Sequence, residues 1–152
     1  MKITYLANHP QHVSTIAKWI MDEWGHQSVS TTQESLEEKF RSHLNWNAIP
    51  TTLLAMEADQ PLGTASLVAH DMSDHQELSP WLAAVYVPPE HRGQGIGAKL
   101  VKSIELLRAQ LNVEKLYLFT PDREAFYARL NWTVHERTSY REKDVVIMVK
   151  EL

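Results

Sequence analysis

An α+β domain is what this sequence predicts, in the order β-α-α-β-β-β-α-β-α-β-β, and three observations carry the prediction. Apolar residues recur at helical spacing in some stretches and run as short apolar strands in others. Hairpins adjoin one strand–helix–strand unit, a mixture that neither an all-parallel nor an all-β architecture produces. Finally, 152 residues that are 43% hydrophobic and 22% charged suit one globular core. No repeat, linker or low-complexity segment divides the chain, so residues 1–152 are read as one domain.

Lys2 to Ala7 reads as an opening strand. From His12 to Trp24, apolar residues at 13, 16, 17, 20, 21 and 24 make one helical face, which Gly25 ends. Thr31 or Thr32 can cap a second helix carrying Leu36, Phe40 and Leu44, and Pro50 breaks it. Residues 51–57 and 63–70 form a hairpin about the turn ADQPLG. The polar connection DMSDHQELSP follows, and WLAAVYV reads as a fully buried strand. Beyond it a helix runs from Gly95 to about Leu111, with Ile96, Leu100, Ile104, Leu107 and Leu111 on one side. EKLYLFT is the next strand. Thr120-Pro121 then opens a short helix, Thr as cap and Pro in the first turn, that ends near Asn131. Strands at about 132–138 and 144–150 close the chain.

Composition excludes several functions. A net charge of -4 with no basic run opposes nucleic-acid binding, which needs clustered cations against phosphates. Without cysteine there is no disulfide, no thiolate metal site and no cysteine nucleophile. No stretch approaches a membrane span, and MKITYLANHPQ lacks the apolar core of a leader. The expectation is a soluble cytoplasmic protein without a membrane partner.

The informative segment is VPPEHRGQGIGAKL at 87–100. Three glycines at a strand-to-helix junction let backbone N–H groups approach a phosphate, aided by the positive end of the helix dipole. A Walker A loop fails, because Lys99 is followed by Leu100 rather than Ser or Thr. The dinucleotide pattern is formally met by Gly93, Gly95 and Ala98, with Asp122 near the distance of a ribose-binding carboxylate. Against it, PPEHR separates the strand from the first glycine, and the remaining chain is short for a doubly wound sheet.

Arg92-Gly93-Gln94-Gly95-Ile96-Gly97 resembles the Q/R-x-x-G-x-G/A loop of the GNAT superfamily of N-acetyltransferases. The V-x-P strand end and His91-Arg92 agree with that likeness. Downstream, DREAFYARLNW is similar to the superfamily segment ending in Y-x-x-x-G-F/Y, with Tyr127 at the tyrosine position. Asn131-Trp132 stands where the family has Gly and an aromatic, and Asn tolerates the same left-handed cap. The matching region covers roughly residues 80–132.

This resemblance implies the GNAT fold, a mixed, mostly antiparallel sheet flanked by helices, with acetyl-CoA as co-substrate. It implies a pyrophosphate cradle from Arg92, Gly93, Gln94, Gly95, Ile96, Gly97 and Ala98. Pantetheine would enter a slot beside the preceding strand and pair with backbone at Val85 and Val87, while the Val85 or Tyr86 amide polarises the thioester carbonyl. Tyr127 would donate a proton to the departing thiolate. The expected reaction is direct acetylation of a primary amine on a small molecule or peptide N-terminus; an acyl-serine route stays open.

WLAAVYV offers no carboxylate base, so the nearest candidates are Glu77, taken as the base, and His70, Asp71 and His75. HDMSDH also spaces four metal-ligating side chains, a pattern common in polar loops. The acceptor pocket is expected from Trp24, Gly25 and His26 together with the Ser139–Lys143 turn. Trp24, Trp46 and Trp81 are read as lining it or as core, and Lys99, Lys102 and Arg108 as facing water. A homodimer is compatible with this reading. The alternative is a catalytically silent acyl-CoA-binding or sensor domain of the same fold, which would not need an acid at Tyr127.

Overall fold

The computed structural model describes residues 1–25 and 28–151. Strand β1 (Lys2–Tyr5) leads through two 3-10 turns into α1 (Val13–Trp24), which buries Val13, Ile16, Ala17 and Ile20. Helix α2 (Gln33–Arg41) starts where the sequence places a cap. The Thr32 hydroxyl accepts from the Ser35 amide at 3.0 Å, and the Thr32 amide donates to the Ser35 hydroxyl at 2.9 Å. Such reciprocal caps contribute about 1 kcal/mol.

The hairpin β2 (Thr51–Glu57) and β3 (Gln60–Val68) precedes β4 (Trp81–Tyr86), α3 (Ile96–Gln110), β5 (Lys115–Thr120) and α4 (Glu124–Arg129). Strands β6 (Thr133–Tyr140) and β7 (Lys143–Glu151) complete a seven-stranded sheet of order β1-β2-β3-β4-β5-β7-β6. Every neighbouring pair is antiparallel except β4 and β5.

Helices α3 and α4 cover one face, where Leu100, Ile104, Leu116 and Leu118 share a core with Tyr127 and Trp132. Each such fully buried aliphatic contributes about 1.5–3 kcal/mol. The other face packs against α1 and α2 over β2 and against Met72 and Leu78 of the β3–β4 connection over β5 and β7. Gly63 brings α3 close to the sheet: a Cβ there would lie 3.1 Å from the Tyr86 carbonyl and 3.1 Å from Leu100.

Strand β4 departs from its expected form, and the departure positions the site. Its only ladder partner on β5 is Trp81 opposite Tyr117, after which the two strands diverge. Consequently Ala83 to Tyr86 are half-buried rather than fully buried. A bulge at Ala84, with φ of 53°, also shifts the register against β3 between Thr64 and Ser66. Trp81 and Ala83 share one face; the extra residue then puts Ala84 and Tyr86 on that face, and Val85 and Val87 beneath α3.

Three other expectations are corrected. Helix α4 starts at Glu124 rather than Pro121, because the Thr120 hydroxyl accepts from the Arg123 amide at 3.0 Å and holds a turn instead of a cap. Arg108 does not face water. It is buried at the end of α3 and donates to the carbonyls of Val113 and Glu114 at 3.0 and 2.9 Å. Trp46 is exposed, donating its indole N–H to Asn8, and neither packs in the core nor lines a pocket.

Candidate active site

Divergence of β4 from β5 opens a cleft of about 620 Å³ between them, with the start of α3 at one end. At that end Gly93 and Gly95 take φ of 80° and 81°, angles that carry a steric penalty for any side chain. An added Cβ at either would meet no protein atom within 4 Å, so the cradle is open on its outer side. Gly95 is the helix N-cap and supplies no side-chain acceptor. The first helical bond runs from the Lys99 amide to the Gly95 carbonyl, leaving the amides of Ile96, Gly97 and Ala98 free for an anion.

Arg92 closes this loop. Its Nε donates to the Val87 carbonyl at 2.7 Å, and its guanidinium lies 5.6 Å from the Tyr86 ring centroid. Gly93, Gly95, Ile96, Gly97 and Ala98 line the cleft with Arg92, whereas the exposed Gln94 does not. Lys99 and Lys102 face solvent outside it. Val85, Tyr86 and Val87 form the β4 wall.

Tyr127 comes from α4 and lines the same cleft, its ring edge-on to Phe126 and Trp132 at 5.0 and 6.1 Å. Burial raises its phenol to about 12, with Arg123 partly opposing. The hydroxyl therefore keeps its proton throughout the neutral range. Asn131, with φ of 71°, ends the turn after α4 in the left-handed conformation expected of it.

Of the four candidates Glu77, His70, Asp71 and His75, only Asp71 lines the cleft. Glu77 is exposed and lies away from it, as does His70. His75 is bound between the carboxylates of Asp74 and Glu136 at 2.8 and 3.3 Å, which fastens the connection to β6. Among the described residues no group of three metal-ligating side chains forms in this stretch. Burial raises the Asp71 carboxyl to about 6, while Lys39 and Arg141 pull it down. A carboxylate raised in this way is half-ionised near pH 6, within the range suited to proton transfer.

Sequence reasoning named Asp71 only as one of four neighbours, because the backbone course that turns it inward leaves no local signal. It missed Lys39 and Glu23 on the helices and Arg123 in the turn before α4, whose exposed positions look like any solvated surface. Trp24 lines the cleft beside Tyr86, at 5.9 Å edge-to-face, and Gly25 lines it too. Trp81 is core, its indole donating to the Leu78 carbonyl. His26 lies outside the described residues.

The splayed β4–β5 pair, the glycine loop at the start of α3 and the tyrosine from the following helix thus face one cleft. The acetyltransferase (GNAT) domain model matches residues 49–134, more than half of the chain, and the protein belongs to that family. Among solved structures, an aminoglycoside 6'-acetyltransferase type Ii is similar at 19% identity and a TM-score of 0.76, covering 99% of this chain and 97% of that one. An aminoglycoside 6'-N-acetyltransferase complexed with coenzyme A is similar at 17% identity and a TM-score of 0.74, with 99% and 97% covered. The Salmonella typhimurium protein yncA, described as a candidate acetyltransferase and solved with its cofactor acetyl-CoA, is similar at 16% identity and a TM-score of 0.73, covering 100% and 94%. At these identities the likeness establishes the fold.

Proposed function

We propose that the protein is an acetyl-CoA-dependent N-acetyltransferase that moves the acetyl group directly to a primary amine of a small molecule or peptide N-terminus. The observation that carries this reading is the junction of the α3 cradle with the β4–β5 slot, which holds Tyr127 and Asp71 on one continuous surface. Coenzyme A-bearing relatives of the same fold support acetyl-CoA as the donor.

In this mechanism the amides of Ile96 to Ala98 and the Arg92 guanidinium hold the pyrophosphate, and pantetheine lies along β4 at Val85 and Val87. The amide of Val85 or Tyr86 donates to the thioester carbonyl as it gains negative charge. Asp71 takes a proton from the amine as its nitrogen forms the new C–N bond to the acetyl carbon. The C–S bond breaks, and Tyr127 stabilises the leaving thiolate. A phenol near 12 is a weaker acid than a thiol near 8.5. Complete transfer is thus uphill by about 5 kcal/mol, so Tyr127 acts chiefly by donating a hydrogen bond while solvent supplies the final proton.

Thiol release from acetyl-CoA across a panel of primary amines tests the reading, with mass spectrometry of the product. The expected result is amine-dependent release with one acetyl group added per thiol. Coenzyme A binding without release against any amine would instead establish the silent sensor.

A further inference from the structure

Two cations share the acceptor end of the cleft with one carboxylate, and neither is held in an ion pair among the described residues. Lys39 projects from α2 and Arg141 from the β6–β7 turn, and both line the cleft around Asp71. Each acts electrostatically on the Asp71 carboxylate, which places them at this end; Arg123 and Asp122 act on Tyr127 and belong to the coenzyme end. Neither Lys39 nor Arg141 is in an ion pair among the described residues. Their neighbours behave differently: Arg41 pairs with Glu37, and Arg137 with Glu124.

Backbone geometry at Arg141 adds an independent observation. Tyr140 pairs with Lys143, so Arg141 and Glu142 form a two-residue hairpin turn with φ of 50° and 67°. Asn-Gly or Asp-Gly fills such a turn without strain. Here the left-handed position carries an arginine that reaches the cleft, its guanidinium 5.0 Å from the Tyr140 ring centroid. That conformation is costly for a long side chain, and strain of this kind gathers at functional sites.

We infer that the acceptor amine carries an anionic group, a carboxylate or a phosphate, on the same molecule, and that Lys39 and Arg141 bind it. The inference rests on the acetyltransferase reading for the seat of the amine at Asp71. The ammonium approaches Asp71, loses its proton there and attacks the thioester, while the anion sits between the lysine and the guanidinium fork. Trp24, Tyr86 and Phe119 supply apolar wall to the cleft. Glu23 lines the cleft as well and acts on Tyr86; as an acid it attracts the ammonium and not the anion. A polyamine with no anion would meet two positive charges against the single Asp71 carboxylate and is disfavoured.

Matched pairs test this: phenylalanine against 2-phenylethylamine for a carboxylate, and phosphoethanolamine against ethanolamine for a phosphate, with spermidine as the polycation. Binding is read by calorimetry with coenzyme A saturating and turnover by thiol release, at pH 8 so that Asp71 is ionised in every variant. In at least one pair the anionic member is expected to bind and react about tenfold better than its neutral partner, and better than spermidine; the pair identifies the group. The double variant Lys39→Ala/Arg141→Ala should bring that ratio close to one, and Arg141→Glu should invert it. Both positions are exposed, so these variants keep the fold, which thermal melting verifies. A wild-type preference for neutral amines or spermidine overturns the inference, as does a ratio that survives the double variant. If the anionic member binds tighter but no amine releases thiol, the anion site stands and the transferase reading falls.

Discussion

At the residue scale, the base proposed for the reaction, Asp71, carries a stability cost. Its folded value of about 6 lies above the 3.8 of an unperturbed aspartate, so ionisation is less favourable in the folded chain. The cost is fully present above pH 6, is relieved as pH falls through 6, and is gone below about 4. Asp71→Asn should therefore stabilise the protein at pH 7.5 by on the order of 2 kcal/mol in chemical denaturation. The advantage should vanish near pH 4. The same substitution should lower kcat/KM about 10²–10⁴-fold, and the wild-type profile should rise through pH 6. A wild-type profile flat from pH 5 to 8 would remove Asp71 as the base. Tyr127→Phe should slow thiol release about ten- to a hundredfold, while coenzyme A affinity and melting temperature change little, since the ring packing remains. With the phenol at about 12, Tyr127 should impose no alkaline fall in rate below pH 10.

Among the elements, β4 decides most. Only one residue of β4 pairs with β5, and the Ala84 bulge sets which side chains face each layer. Ala84→Val forces a β-branched residue into a left-handed angle and should destabilise the fold by about 1–2 kcal/mol. Coenzyme A affinity should fall with it, since Val85 and Val87 lose their register; unchanged affinity in calorimetry would detach the bulge from the slot. Helices α1, α2 and α3 were legible because their apolar stripes repeat; Thr32, one of the two caps offered, closes α2, and α3 begins at Gly95. The bulge was not, because WLAAVYV is apolar throughout and an extra residue leaves no break in alternation. Nor was the late start of α4, where the Thr120 turn competes with a cap of the same chemistry.

Over the whole molecule, a mostly antiparallel sheet with one parallel junction makes the slot. The proposed donor site was readable because GQGIG and Tyr127 sit on short, contiguous segments. Its acceptor counterpart draws Lys39, Asp71 and Arg141 from three distant elements, and only the fold brings them together. A ligand spanning β4 and the start of α3 should tie these parts together. Acetyl-CoA at a hundred times its Kd should therefore raise the unfolding free energy by about 2.7 kcal/mol, read as a shift in Tm.

Calorimetric titration of acetyl-CoA and NAD into the wild type and Gly95→Asp tests the donor site most directly. Gly95 at φ of 81° starts α3, and aspartate there adds both a strained side chain and a charge facing the pyrophosphate. The expected result is one acetyl-CoA bound per chain, no NAD, and affinity lowered at least about a hundredfold in the variant. Equal acetyl-CoA affinity in the two proteins, or binding of NAD alone, would contradict the assignment of the loop.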